Sequence, residues 1–195
     1  TMCGGKRGVR DADTSGLGDW DSYAAIHEFP IEEYEKAKSE ILVEGYCDTA
    51  IVTLSRTAAE GSALSMDLDG DGSTVNGTTY LELDDNERNL MKFCKENFKH
   101  TIVLLNTSSA MEIGFLDSEE YNVEACLWIG HPGDAGLVGV GKLITGAVNP
   151  SGRLVDTWAY DVSTNPTFYN MDNNRYANGQ DADNNTFYQY EEGIY

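Results

Sequence analysis

The chain is short of basic residues, proline and cysteine, and it has no long apolar run. Thirteen Lys and Arg stand against 33 Asp and Glu, a formal net charge of -20. A surface of that sign repels phosphate backbones and anionic lipid headgroups, so nucleic acid and membrane surfaces are excluded as partners, while neutral ligands stay open. Most of this acid reads as a solvated face that keeps the chain soluble. No stretch approaches the roughly 18 apolar residues of a membrane-crossing helix. The four cysteines, Cys3, Cys47, Cys94 and Cys126, include no C-x-x-C pair. A cysteine-based metal site is therefore excluded, and in a chain of 195 residues buried free thiols are expected rather than a disulfide framework. With only 4 prolines there is no Pro-rich linker, and the amino terminus lacks the basic and apolar pattern of a secretory leader.

What is present is an alternation. Residues 1–30 are rich in Gly and Asp without either hydrophobic period, and they are expected to form an irregular linker or extension ahead of a domain over 31–195. "IEEYEKAKSEILVEGY", from Ile31, places Ile31, Tyr34, Ala37 and Lys38 at helical spacing. "DTAIVTLSR" is a short β-branched run, predicted to be a strand covered on both faces. "LDDNERNLMKFCKENF" has Asp84 as N-cap with Glu87 three residues on, and Leu90, Met91, Cys94 and Phe98 along one side. "HTIVLLN" follows as strand, "SAMEIGFL" as a short helix, "VEACLWIG" as strand, "DAGLVGVGKLITG" as helix and "RLVDTWAY" as a last extended piece. Strand and helix in this order imply parallel pairing through right-handed crossovers, hence a three-layer α/β sandwich with a mainly parallel sheet. The Asn- and Tyr-rich tail beyond Trp158 is expected to run over the surface.

Ligands of such sheets bind at the carboxyl ends of the strands. Those ends carry Ser55, Arg56 and Glu60 after the first strand, Asn106 after the second, and His131, Pro132 and Gly133 after the third. Glu60 stands between Ala59 and Gly61, where a carboxyl group can be presented to a ligand. The ladder Asp67, Asp69, Asp71 with Gly72 matches the first half of a calcium loop, but its twelfth position is Thr78 instead of a bidentate glutamate. It reads as a solvated acidic turn, and no metal or cofactor is assigned. His131, at the sheet edge, could contact a sugar but reads first as a hydrogen-bonded loop residue; Trp128 reads as core ahead of a sugar platform, and Gly152 as the last residue of a type I turn begun by "NPS". Sequon triplets occur at Asn76, Asn106 and Asn184 and require a secretory compartment to be used.

"AIVTLSRTAAEG", then "LELDDNERNLMKFCKENFKHTIVLLNTSSAMEI", "ACLWIGHPGDAGLVGVGKLITGAVNPSGRLVDTW" and finally "YEEGIY" occur in the order of blocks in the α/β sandwich domain of glycoside hydrolase family 3. Together they resemble that β-glucosidase family over residues 48–195. The resemblance implies a retaining β-glycosidase acting on terminal β-glycosides, in which a (β/α)8 barrel supplies an aspartate nucleophile and the sandwich lends the general acid/base glutamate. Ser55-Arg56-Thr57-Ala58-Ala59-Glu60-Gly61 is similar to the family's "SR.SGEG.D", which points to Glu60. Here Ala58 and Ala59 replace Ser-Gly, and Ala63 stands where the family has an aspartate.

No segment resembles the barrel. "GDW" at Gly18 to Trp20 is similar to the string around the family's nucleophile, but no barrel strands surround it and Asp19 is read as a coincidence. The implied partners are a carbohydrate substrate and an absent barrel, with the isolated domain inactive. Two other readings compete: a non-catalytic carbohydrate-binding or interdomain scaffold module, and a calcium-stabilised structural domain resting on Asp67, Asp69 and Asp71.

Overall fold

A computed structural model describes residues 28–43, 48–56, 79 and 81–165. Outside them lie Cys3, Asp19, Cys47, Glu60, Asp67, Asp69, Asp71, Asn76, Asn184 and the terminal "YEEGIY", as does all of the predicted linker except residues 28–30.

Three strands, β1 (Thr49–Arg56), β2 (His100–Thr107) and β3 (Ala125–Trp128), form one parallel sheet in the order β1-β2-β3. Register pairs Val52 with Val103 and Leu54 with Leu105, while Cys126 stands beside Val103 and Trp128 beside Leu105. The strand period of two therefore gathers Ala50, Val52, Leu54, Val103 and Leu105 on one face, where they are buried in the main core.

That face is covered by α2 (Asp85–Asn97), through Leu90, Met91, Phe93 and Cys94. The helix begins as its sequence dictates. The Asp84 carboxylate accepts from the Glu87 N–H at 2.7 Å, and the Glu87 carboxylate accepts from the Asp84 N–H at 3.0 Å. This capping box satisfies two otherwise orphaned donors. Helix α1 (Ile31–Ile41) packs on α2: Ala37 is buried, Tyr34 lies 6.0 Å from Phe93 between ring centroids, and the Lys38 ammonium sits 5.3 Å over the Phe93 ring. Tyr34 donates to Glu28 Oε1 at 2.5 Å, and burial together with that carboxylate pushes its phenol far above the ordinary tyrosine range. The result is an α/β sandwich with a parallel sheet.

Three expectations are corrected. "SAMEIGFL" is not a regular helix; only a 3-10 turn forms, at Gly114–Asp117. The N–H groups of Glu112, Ile113 and Gly114 donate to the carbonyls of Leu81, Ala159 and Tyr160, at 2.8, 3.0 and 3.2 Å. Three successive donors engaged in tertiary bonds cannot serve a helical ladder. "RLVDTWAY" accordingly forms no strand. Its backbone bonds to residues 113–114, Trp158 packs on the core, and Leu154 and Val155 stay exposed. The strands are also not covered equally on both faces. Ile51 and Thr53 of β1 are exposed, and helix α3 (Gly133–Ile144) buries only Val140 while Leu137 and Val138 face solvent.

Candidate active site

The carboxyl ends of the three parallel strands converge on one edge, and each is fixed by a different device. At the end of β1, Arg56 points into the core face, because its even position follows Val52 and Leu54. Its Nη1 and Nη2 donate to Glu87 Oε1 and Oε2, each at 2.6 Å, and Nη2 also donates to the Glu82 carbonyl at 2.6 Å. Arg56 is 2% and Glu87 3% exposed. A buried charge pair survives only with excellent geometry and further hydrogen bonds, and this fork-to-fork arrangement supplies both. Burial pushes the Glu87 carboxyl up, against the pull of Arg56 in the other direction. Glu87 thus has two roles, helix cap and counter-ion. The sequence points only to the first, because the capping box by itself accounts for a glutamate at this position.

At the end of β2, Asn106 links its neighbours on both sides. Its Nδ2 donates to Ser55 Oγ of β1 at 3.4 Å, and its Oδ1 accepts from the His131 N–H beyond β3 at 3.1 Å. Ser55, Asn106 and His131, read from the sequence as strand-end residues, are thereby brought together in one line across the sheet. Engagement on both sides also leaves the Asn106 amide poorly placed as a glycosylation acceptor, despite its sequon. Thr107, next in the chain, is fully buried, and among the described residues its hydroxyl has no hydrogen-bond partner, as is also true of the Ser109 hydroxyl.

Beyond β3 the chain turns through Gly130 at φ 50°, His131 at φ 49° and Gly133 at φ 62°. The left-handed region is open to glycine and unusual for other residues, so His131 is held there by its surroundings. One restraint is the bond to Asn106. Another is Trp128: a Cβ on Gly130 would lie 3.2 Å from the indole, so the turn rests on that ring. The Trp128 Nε1–H donates to the Thr107 carbonyl at 2.9 Å, and its ring meets Trp158 edge-on at 6.0 Å. Trp128 is nevertheless 38% exposed. The expectation of a core tryptophan is corrected because β3 ends the described sheet, leaving part of the ring uncovered.

Glu60 lies outside the described residues, four positions beyond the Arg56 anchor. The aspartate ladder lies outside them too; among the described residues no group of three or more His, Cys, Asp or Glu side chains is placed to hold a metal ion. Nor is any helix among them long and apolar enough to cross a membrane.

Comparison with known proteins agrees with this architecture. The profile of the glycosyl hydrolase family 3 C-terminal domain matches residues 17–195. A β-glucosidase of Ruminococcus albus is 34% identical over 133 residues, covering 67% of this chain and 13% of the relative. β-Glucosidase A of Butyrivibrio fibrisolvens is 27% identical over 134 residues, covering 63% of this chain and 16% of its own length. The chain thus spans less than a fifth of these relatives. The crystal structure of a β-glucosidase from Paenibacillus barengoltzii superposes with a TM-score of 0.59 at 24% identity, over 77% of this chain and 15% of that one, which supports the fold. A parallel sheet with its loops gathered at the carboxyl edge, and a profile match over most of the chain, lead to one assignment: the chain belongs to glycosyl hydrolase family 3, in the family's C-terminal domain.

Proposed function

We propose that this domain forms part of a retaining β-glycosidase of β-glucosidase type, and that Glu60 is its general acid/base. The site is completed by a (β/α)8 barrel domain that supplies the aspartate nucleophile. The observation that carries the reading is the anchored end of β1: Arg56, locked to Glu87 and the Glu82 carbonyl at the sheet's carboxyl edge, immediately precedes "TAAEG". A carboxyl group carried on a chain that leaves a rigid strand end, flanked by small residues, suits a role in a pocket shared with a neighbouring domain.

In the first step Glu60 protonates the departing glycosidic oxygen while the nucleophile attacks the anomeric carbon. In the second, the same side chain, now a carboxylate, takes a proton from the water that releases the sugar. Retaining chemistry requires the two carboxyl groups about 5 to 5.5 Å apart. The substrate is a neutral β-glycoside, compatible with a chain whose charge of -20 disfavours anionic ligands.

The test is a leaving-group series with Glu60→Ala in the full-length enzyme. Loss of a general acid costs on the order of 10²- to 10⁴-fold for β-glucosides with poor leaving groups and far less for activated aryl β-glucosides. An equal effect, or none, across the series refutes the assignment and favours a scaffold role.

A further inference from the structure

We infer that His131 is a specificity-determining residue, whose imidazole meets a hydroxyl group of the leaving-group sugar of a β-linked disaccharide. The inference rests on the glycosidase reading above and concerns a different residue on a different loop. Four observations bring it forward. The His131 side chain is exposed at the carboxyl edge of the sheet. Its backbone occupies the left-handed region at φ 49°, a conformation glycine would take more readily. Two independent restraints hold the turn there: the hydrogen bond from its N–H to Asn106 Oδ1 at 3.1 Å, and Gly130 seated on the Trp128 indole. Finally, Asn106 also bonds Ser55 at 3.4 Å, so the turn is tied to the end of β1 from which the chain runs on toward Glu60.

A non-glycine residue held in the left-handed region by surrounding structure, at the edge where ligands of parallel sheets bind, points to a role for its side chain. The groups at the same edge suit a sugar. Imidazole and the Ser55 hydroxyl both donate and accept, as sugar hydroxyls do, and Trp128, at the end of β3, is 38% exposed. Such a contact reads the sugar in the leaving group; an aryl leaving group offers it no hydroxyl.

The backbone conformation makes His131→Gly an unusually clean test. Glycine accepts φ near 50° without strain, so a purely structural role predicts a variant as stable as the parent and equally active on every substrate. In the full-length enzyme, the contact predicts that the ratio of kcat/KM for a β-linked disaccharide to kcat/KM for an aryl β-glucoside falls about tenfold, the worth of one hydrogen bond. The fall should appear in the KM of the disaccharide, with a thermal midpoint no lower than the parent's. His131→Gln, which keeps a donor and an acceptor, should recover part of the ratio. A ratio within twofold of the parent in His131→Gly, or an equal loss of kcat on both substrates, overturns the inference. The two proposals fail separately. A Glu60→Ala variant without leaving-group dependence removes the glycosidase reading; a normal Glu60→Ala result with an unchanged His131→Gly ratio removes only the role of His131.

Discussion

Removing the Glu87 side chain tests how β1 is anchored. Glu87→Ala leaves the Arg56 guanidinium 2% exposed and without the bidentate partner that holds it at 2.6 Å through both Nη atoms. Breaking one half of a buried charge pair costs about 3 to 5 kcal/mol, most of it the penalty of the charge left behind. The same substitution takes the acceptor from the Asp84 N–H and so opens half of the capping box, adding about 0.5 to 1 kcal/mol. A total of about 3.5 to 6 kcal/mol is comparable to the lower end of whole-domain stabilities. It should lower the melting temperature by roughly 7 to 24 °C in a chain of this size. The assay is urea and thermal unfolding followed by far-ultraviolet circular dichroism, with Arg56→Met, Glu87→Leu and the double variant completing a cycle. The double variant should recover most of the loss, since two packed apolar groups replace a buried pair with little penalty. A cost below about 1 kcal/mol for Glu87→Ala, or strictly additive effects around the cycle, would refute the reasoning.

Two further predictions concern parts of the core away from the sheet edge. Gly114→Ala would place a methyl carbon 2.7 Å from the Tyr160 carbonyl oxygen, and the backbone there has its own bonds to residues 113 and 114. The expected cost is about 1 to 3 kcal/mol, read as a lowered urea midpoint, whereas an unchanged midpoint would mean that the 159–160 segment is not docked. Burial pushes the Cys94 thiol up to about 12 and the Cys126 thiol up to about 11, from an ordinary 9.0. At pH 8 the reactive thiolate of Cys94 is therefore scarcer by about a thousandfold. Peptide mapping after brief alkylation should find both residues unmodified in the native protein and modified in urea; rapid native labelling of Cys94 would contradict its place in the core.

How much of this was legible in the sequence depends on whether local or distant partners decide a segment. Helix α2 is legible because its start signal is its own: Asp84 and Glu87 cap it, and Leu90, Met91 and Cys94 define its buried side. Strands β1 and β2 are legible as short β-branched runs. "SAMEIGFL" misleads because its apolar content is compatible with a helix, while the N–H groups of residues 112 to 114 are claimed by Leu81, Ala159 and Tyr160. "RLVDTWAY" misleads for the complementary reason, as a strand-like composition that finds a loop rather than a strand to bond. At the sheet edge, the strand-end rule finds Ser55, Asn106 and His131, yet neither the amide bridge that joins them nor the left-handed backbone of a histidine leaves a local mark. The Arg56–Glu87 pair is hidden in the same way, because Glu87 already has a sufficient reason to be a glutamate in the helix cap.

The assignment of Glu60 is tested most directly by the product that its loss should create. Without a general base, water attacks the glycosyl intermediate slowly, and a small anion that needs no deprotonation takes its place. In full-length Glu60→Ala enzyme supplied with an activated aryl β-glucoside and azide, turnover should rise with azide concentration and nuclear magnetic resonance should identify a β-glycosyl azide. Hydrolysis unaffected by azide, with free sugar as the sole product at the parent's rate, would contradict a catalytic role for this domain.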